Sequence, residues 1–315
     1  LDSNRPDVPS GVVRAYNIRS GEFLWGWNPV HPDRPQRDDA GNYIPGSTNV
    51  WSTISVDAAR GLVIVPTGNS SPDYYGGERR AVDDEWSSAV VAIDGATGEP
   101  RWKYQTVHHD VWDYDLPAQP VLVDVTRMGE NIPSVAVATK TGDIFLLDRR
   151  DGTPVFPIEE RPAPREPEFK EYLSPTQPAS PLPNFHPYRH EKDMWGLTPL
   201  DQLACRVEYK MLRYEGLFTP LQEDQFTVLM PGSLGGANWG GAVLWAEEHL
   251  LYVNVNTALF AARLVKTQET KVSGHLPQSG KTMQISMQGT PYTIENKTVL
   301  ATNSRIYEEM IEILK

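Results

Sequence analysis

A chain of 315 residues with 39% hydrophobic and 22% charged side chains can bury a sizeable core, and its 10% aromatic content excludes a wholly disordered protein. The formal charge of −12, with no run of lysine and arginine to offset it locally, argues against a nucleic-acid partner. No stretch approaches the roughly 18 apolar residues that span a bilayer, and the opening LDSNRPDVPSG carries no leader pattern. The chain begins as if inside a loop, which leaves room for a leader or anchor upstream.

In chain order, the runs VVRAYNI, GLVIVP, SAVVAID, PVLVDV, SVAVAT, DIFLLD, FTVLM and LLYVNV each have the length and apolar content of a strand. Three of them lead into one recurring frame: AYNIRSGEFLW at 15–25, AIDGATGEPRW at 92–102 and LLDRRDGTPVF at 146–156. In each, Asn or Asp caps a turn, Gly21, Gly98 or Gly152 supplies the positive φ, and Trp25, Trp102 or Phe156 follows with a large ring to bury. A recurring turn with a recurring aromatic favours an all-β propeller of four-stranded blades over a sandwich. The repeats are unevenly spaced, so long loops must intervene.

Residues 154–190 hold ten prolines, from Pro154 to Pro187, and are expected to be neither regular strand nor helix. Phe185, Tyr188 and Trp195 near their end want burial, which predicts an ordered excursion over the propeller. Cys205 stands alone, cannot form an internal disulfide, and reads as a small buried apolar residue. From about Lys266 the sequence turns polar. Ile306, Met310, Ile313 and Leu314 then fit one helical face, so 1–265 reads as the propeller part and 266–315 as a divergent tail with a short terminal helix.

Reactive side chains are densest in TVHHDVWDYDLPAQP, residues 106–120, where His108, His109, Asp110, Asp113 and Asp115 cluster. The HHD run lacks the spacing that aims ligands at one zinc ion from a helix or strand. A carboxylate beside Trp112 and Tyr114 could serve as a general base, and equally these polar groups could hydrogen-bond across a loop; the residues alone leave both open.

That run, with ATKTGDIFLLDRRDGTPV at 138–155, PSGVVRAYNIRSGEFLW at 9–25, SPTQPAS at 174–180, DMWGLTPLDQLACR at 193–206 and RYEGLFTP at 213–220, closely resembles the membrane-bound quinoprotein dehydrogenases. These oxidise glucose, quinate or related polyols with pyrroloquinoline quinone (PQQ). The resemblance runs through residues 2–265 and implies part of an eight-bladed β-propeller, PQQ near its axis, a divalent Ca2+ or Mg2+ ion, ubiquinone as acceptor, and the periplasmic side of the bacterial inner membrane. It implies Asp113 as general base, Lys140 as the cation at the quinone oxygen, Trp51 as the ring stacked on PQQ, and Asn254 as a cofactor contact. Asn69 and Asp2 are the implied metal ligands, although the Asp-Asn pair expected near the chain start reads Asp2-Ser3-Asn4 here.

Two other readings remain at this point: a non-catalytic propeller scaffold, and a glycosidase using Asp113 and Asp115. Further blades are implied beyond both ends of the match. The chain alone is therefore expected to expose strand edges, to be aggregation-prone and to hold PQQ weakly.

Overall fold

The computed structural model describes residues 11–30, 40, 48–77, 79, 81–165, 172–185, 190–256, 258–266 and 292–299. The expected terminal helix at 305–315, Tyr188 and Asp2 lie outside them. Strands dominate. Val13–Tyr16 (β1) and Phe23–Trp27 (β2) form a hairpin, followed by the antiparallel sheet of Ser55–Asp57 (β3), Leu62–Pro66 (β4), Ala89–Asp94 (β5) and Pro100–Gln105 (β6). A short helix, Ala81–Glu85 (α1), interrupts the crossing from β4 to β5. Val121–Arg127 (β7), Glu130–Ala138 (β8) and Ile144–Asp148 (β9) make the next sheet. The first strands of neighbouring sheets touch, β3 against β7 and β7 against Ala242–Trp245 (β13 below), so the sheets meet along their leading strands.

The three turn glycines have φ of 74°, 80° and 78° at Gly21, Gly98 and Gly152. Asn17 Oδ1 accepts from the Arg19 and Ser20 amides, and Asp94 Oδ1 accepts from those of Ala96 and Thr97. The aromatic residue that follows one turn docks on the next. Trp25 donates its indole N–H to the Gly95 carbonyl, with its ring over Gly98, and Trp102 donates to the Arg149 carbonyl, with its ring over Gly152. Each sheet is thereby fastened to its successor by a ring that only a glycine can receive: a Cβ at Gly98 would stand 2.7 Å from the Trp25 ring. Gly98→Ala should therefore cost a left-handed backbone penalty plus displacement of Trp25, together roughly 2–5 kcal/mol. Gly21→Ala, whose Cβ would meet nothing within 4 Å, should cost the backbone penalty alone. Thermal denaturation of the two variants checks this, and equal losses would contradict the docking account.

The regular four-stranded blade holds once among the described residues, at β3–β6. In the β7–β9 sheet the would-be fourth strand is reduced to a bridge between Leu147 and Pro154, because Pro154 and Pro157 cannot donate to a ladder. The third repeat departs too: Phe156 is half-buried beneath the Arg127 guanidinium, and Val155 takes the buried place.

The proline-rich excursion is also more regular than its composition suggests. Glu159–Pro162 (β10) pairs with Thr176–Ala179 (β11) as a two-stranded ribbon, where each strand has an unpaired edge that tolerates Pro162 and Pro178. Phe185 is half-buried and Trp195 is 38% exposed; Met194 is buried in Trp195's stead, against Val228, Met230 and Leu259. The helix Pro199–Lys210 (α2) was not expected, although its signals are plain: Thr198 caps it, Pro199 opens it, and Asp201 closes a capping box. Cys205 on α2 is half-buried rather than buried, since the helix lies on the surface and only one side meets the Met194 cluster.

Thr227–Leu229 (β12) pairs with Leu259–Lys266 (β15), which pairs in turn with Tyr292–Val299 (β16), while Ala242–Trp245 (β13) and Leu250–Val253 (β14) form a hairpin. No described helix is long and apolar enough to cross a membrane.

Candidate functional site

The loop between β6 and β7 carries the reactive cluster. At its ends the Thr106 amide donates to the Ser88 carbonyl and the Leu116 amide to that of Thr67, joining it to β4 and β5. In between, side chains replace main-chain pairing. Asp110, fully buried, accepts from the amides of Trp112 (3.0 Å) and Tyr114 (3.1 Å) on one oxygen and from the Ser88 hydroxyl (2.8 Å) on the other. Trp112 donates its indole N–H to the Thr219 carbonyl, and the Tyr114 hydroxyl donates to that of Pro231. These anchors drive Trp112 and Tyr114 into the core and turn Asp113 outward at φ 61°.

Lys140 comes from the tight turn after β8 and is buried. Its ammonium donates to the Asp113 carbonyl (2.9 Å) and carboxylate (3.0 Å), and lies 2.6 Å from the Asp115 carboxylate. Trp51 donates its indole N–H to the other Asp115 oxygen at 2.7 Å, and the main-chain N–H of Asn69 donates to that same oxygen at 3.2 Å. The Lys140 ammonium stands 5.6 Å from the Trp51 ring centroid. Trp51, Asn69, Asp113 and Lys140 thus meet at one place, with Asp115 as the hub. Asn254 lies one step away: it is exposed, and its side chain packs on Gly240, beside the Trp239 ring that leans on Trp51 at 5.8 Å.

Electrostatics follow from burial. Desolvation pushes the Asp113 carboxyl up to about 7, Lys140 pulls against this, and Asp115 adds to it. Burial alone would lower Lys140, but Asp113 and Asp115 more than offset that and hold it firmly protonated. Asp73 is raised well above the carboxylate range by burial, then by Asp113 and Asp115. Tyr74, whose hydroxyl reaches Asp113 at 3.5 Å, is raised by burial and by that carboxylate.

Asp113 and Asp115 share one ammonium, with Asp73 near enough to be raised by both, and oxygens crowded in this way suit a divalent cation. Asp115 supports this, since its buried Oδ1 has a charge partner in Lys140 but no hydrogen bond of good geometry. Asn69 Oδ1 accepts from the Ser70 amide and keeps a second lone pair, and amide and carboxylate oxygens are the ligands a hard cation takes. Gly68 lets this packing close: a Cβ there would stand 3.1 Å from Trp51 and 3.2 Å from Asp115. The described residues therefore fit a planar anionic cofactor with a divalent ion. The two histidines serve elsewhere, His109 on Asp84 (2.6 Å) and His108 between Gln105 and Glu160.

Asp115, Asp110 and Trp239 are contributors that the sequence reading did not assign to this site. Asp115 sat visibly in the DYD run, and its role depends on Trp51 approaching from a distant segment. Trp239 sat in GGANWGG. There Gly235 must lack a Cβ, which would stand 2.5 Å from the Lys140 side chain, and the Gly236 amide donates to the Lys140 carbonyl.

A family model described as PQQ: glucose/ethanol/alcohol dehydrogenase, beta-propeller domain, matches residues 1–307. The chain is similar to the glycerol dehydrogenase large subunit of Gluconobacter oxydans, 41% identical over 93% of this chain and 42% of the relative. It is 37% identical to quinoprotein glucose dehydrogenase A of Acinetobacter calcoaceticus, over 93% of this chain and 38% of that protein. Among solved structures, a europium-containing methanol dehydrogenase matches with a TM-score of 0.55 at 20% identity, over 90% of this chain and 44% of that one. The chain thus spans less than half the length of these relatives.

Proposed function

The chain belongs to the PQQ-dependent glucose/ethanol/alcohol dehydrogenase β-propeller family, and on that premise we propose that it carries the cofactor platform and the base of a sugar or polyol oxidoreductase. One observation carries the reading: the Asp113 carboxylate is held 3.0 Å from a buried Lys140 ammonium that also faces the Trp51 ring. A scaffold has no use for a buried cation shared by two carboxylates beside an aromatic plate. A glycosidase needs both carboxyls free toward substrate, whereas Asp115 is tied to Trp51, Asn69 and Lys140.

When bound, PQQ supplies the two-electron acceptor for the hydride of the substrate C–H bond. Trp51 offers it a flat face, with Trp239 beside that face, and Asn254 contributes an amide from the neighbouring hairpin. Lys140 would supply positive charge to a bound cofactor's oxygen at little cost of reorganisation, because Asp113 and Asp115 already hold the ammonium in position. Asp113, a quarter exposed and turned outward, accepts the proton of the substrate hydroxyl. Asn69, with the carboxylates of Asp113 and Asp115, would hold the Ca2+ or Mg2+ ion, and Asp2 is a further candidate ligand.

The relatives' names span glycerol, glucose and quinate, so the substrate class is a polyhydroxy compound, with glucose first and quinate, shikimate or another polyol next. Ubiquinone as acceptor and a periplasmic, membrane-associated setting complete the reading. Loading the chain with excess PQQ and Ca2+ and screening glucose, glycerol and quinate with a dye acceptor tests it. Dye reduction with at least one, lost on omitting PQQ, is expected; none with any of them would count against it.

A further inference from the structure

We propose that residues 177–185, the end of the β10–β11 excursion, act as a strap that positions Asp113 and Lys140 relative to each other, with Gln177 and Asn184 as its gripping residues. The proposal rests on the reading that these two side chains form the working pair.

The strap holds both loops at once. Gln177, 2% exposed, accepts from the His108 amide at 2.8 Å and donates to the His108 carbonyl at 2.7 Å, so its side chain imitates a paired strand at the head of the Asp113 loop. Further along, Ser180 donates its hydroxyl to the Ile144 carbonyl, and Asn184 donates to the Asp143 carboxylate at 2.7 Å. The Phe185 amide then donates to the Gly142 carbonyl at 2.9 Å. Residues 142–144 complete the turn that presents Lys140, closed by the Thr139 amide on the Asp143 carbonyl and by Gly142 at φ 84°.

These grips matter because the Asp113 loop is held by side chains and not by main-chain pairing. Among the described residues, no main-chain bond joins Val107–Asp115 to other main chain; Trp112 and Tyr114 anchor its far half in the core, and Gln177, Asp110, Asn69 and Lys140 are among the side chains that hold the rest. His109 and Asp113 also carry positive φ, a conformation that persists only when the surroundings impose it. A base displaced by about 1 Å can lose on the order of 10²-fold in rate, so a segment that fixes both members of the pair from one side sets their separation. Proline at 178, 181 and 183 stiffens the strap and leaves its side-chain grips to do the bonding.

Hydrogen exchange on the cofactor-free chain tests this. Gln177→Ala should speed exchange of the 107–115 amides about tenfold, the equivalent of one net buried hydrogen bond, and leave β5 and β8 unchanged. Asn184→Ala should do the same at 140–144. Gln177→Glu, which keeps the acceptor and loses the donor, should fall between and serves if the alanine variant folds poorly. The second readout is that rescue: the protection Gln177→Glu recovers should be confined to the 107–115 amides, whereas a general loss of stability would change β5 and β8 alike. Loop exchange within twofold of the parent, or equal acceleration in β5 and β8, would overturn the strap. If both readouts move as expected but the parent chain shows no response to PQQ, the strap stands and the oxidoreductase reading falls.

Discussion

Replacing Asp113 with asparagine is expected to lower dye-linked turnover by on the order of 10² to 10⁴, with PQQ retention largely preserved. The amide keeps the size of the side chain and can still accept from the Lys140 ammonium, so the loop should hold its shape. What it loses is the capacity to take a proton. The same residue sets the pH profile. A base must be ionised to act, and burial raises this carboxyl to about 7, so the rate should climb with pH through about 7 and level off above it. A divalent cation bound among the carboxylates would shift that limb downward, and removing it with a chelator should shift the limb back. Turnover unchanged in Asp113→Asn, or a flat profile from pH 5 to 9, would exclude the role.

Lys140→Met should have the larger effect on stability. The thioether fills most of the volume but leaves Asp113 and Asp115 without their ammonium, and an unpaired buried charge costs roughly 3–5 kcal/mol. Asp113 can avoid that cost by keeping a proton, so its folded-state value should rise further above that of the unfolded chain. The sign follows: the folded variant binds protons more tightly, so it is most stable below the unfolded carboxylate pKa of about 3.9 and loses stability as pH rises through the folded value. Urea unfolding at pH 5 and pH 8 should show a wider gap for Lys140→Met than for the parent. A variant as stable as the parent at pH 8 would mean that the ammonium is not what balances these carboxylates.

Much of this was legible in the sequence, and the reasons are local. The Asn17, Asp94 and Asp148 turns announce themselves through a cap and a glycine, because both act within four residues. Where the paired ring goes was not legible: Trp25 and Trp102 dock on the next repeat's glycine, a contact across about 50 to 70 residues that no local pattern encodes. The site divides the same way. Asp113, Lys140, Trp51 and Asn69 could be marked by resemblance, and the structure brings those four together. Asp115 as the hub, the Gly235 approach to Lys140 and the Gln177 grip depend on segments arriving from elsewhere, so residue type alone could not reveal them. The excursion misled for a related reason: proline is a poor strand former in a sheet interior, and this ribbon has only edges. Helix α2 was the opposite case, since its Thr-Pro-x-Asp start could have been read directly.

The central claim is that Trp51, Asp113 and Lys140 form one cofactor platform. An equilibrium titration of the chain with PQQ, in the presence of Ca2+ and followed by tryptophan fluorescence, addresses it most directly. Quenching that saturates is predicted, whatever its absolute affinity, with most of the signal lost in Trp51→Phe and the affinity reduced roughly tenfold or more in Lys140→Met, in keeping with 1–3 kcal/mol for a charge-assisted contact. Quenching of the same amplitude and affinity in all three proteins would place the quinone elsewhere and contradict the account.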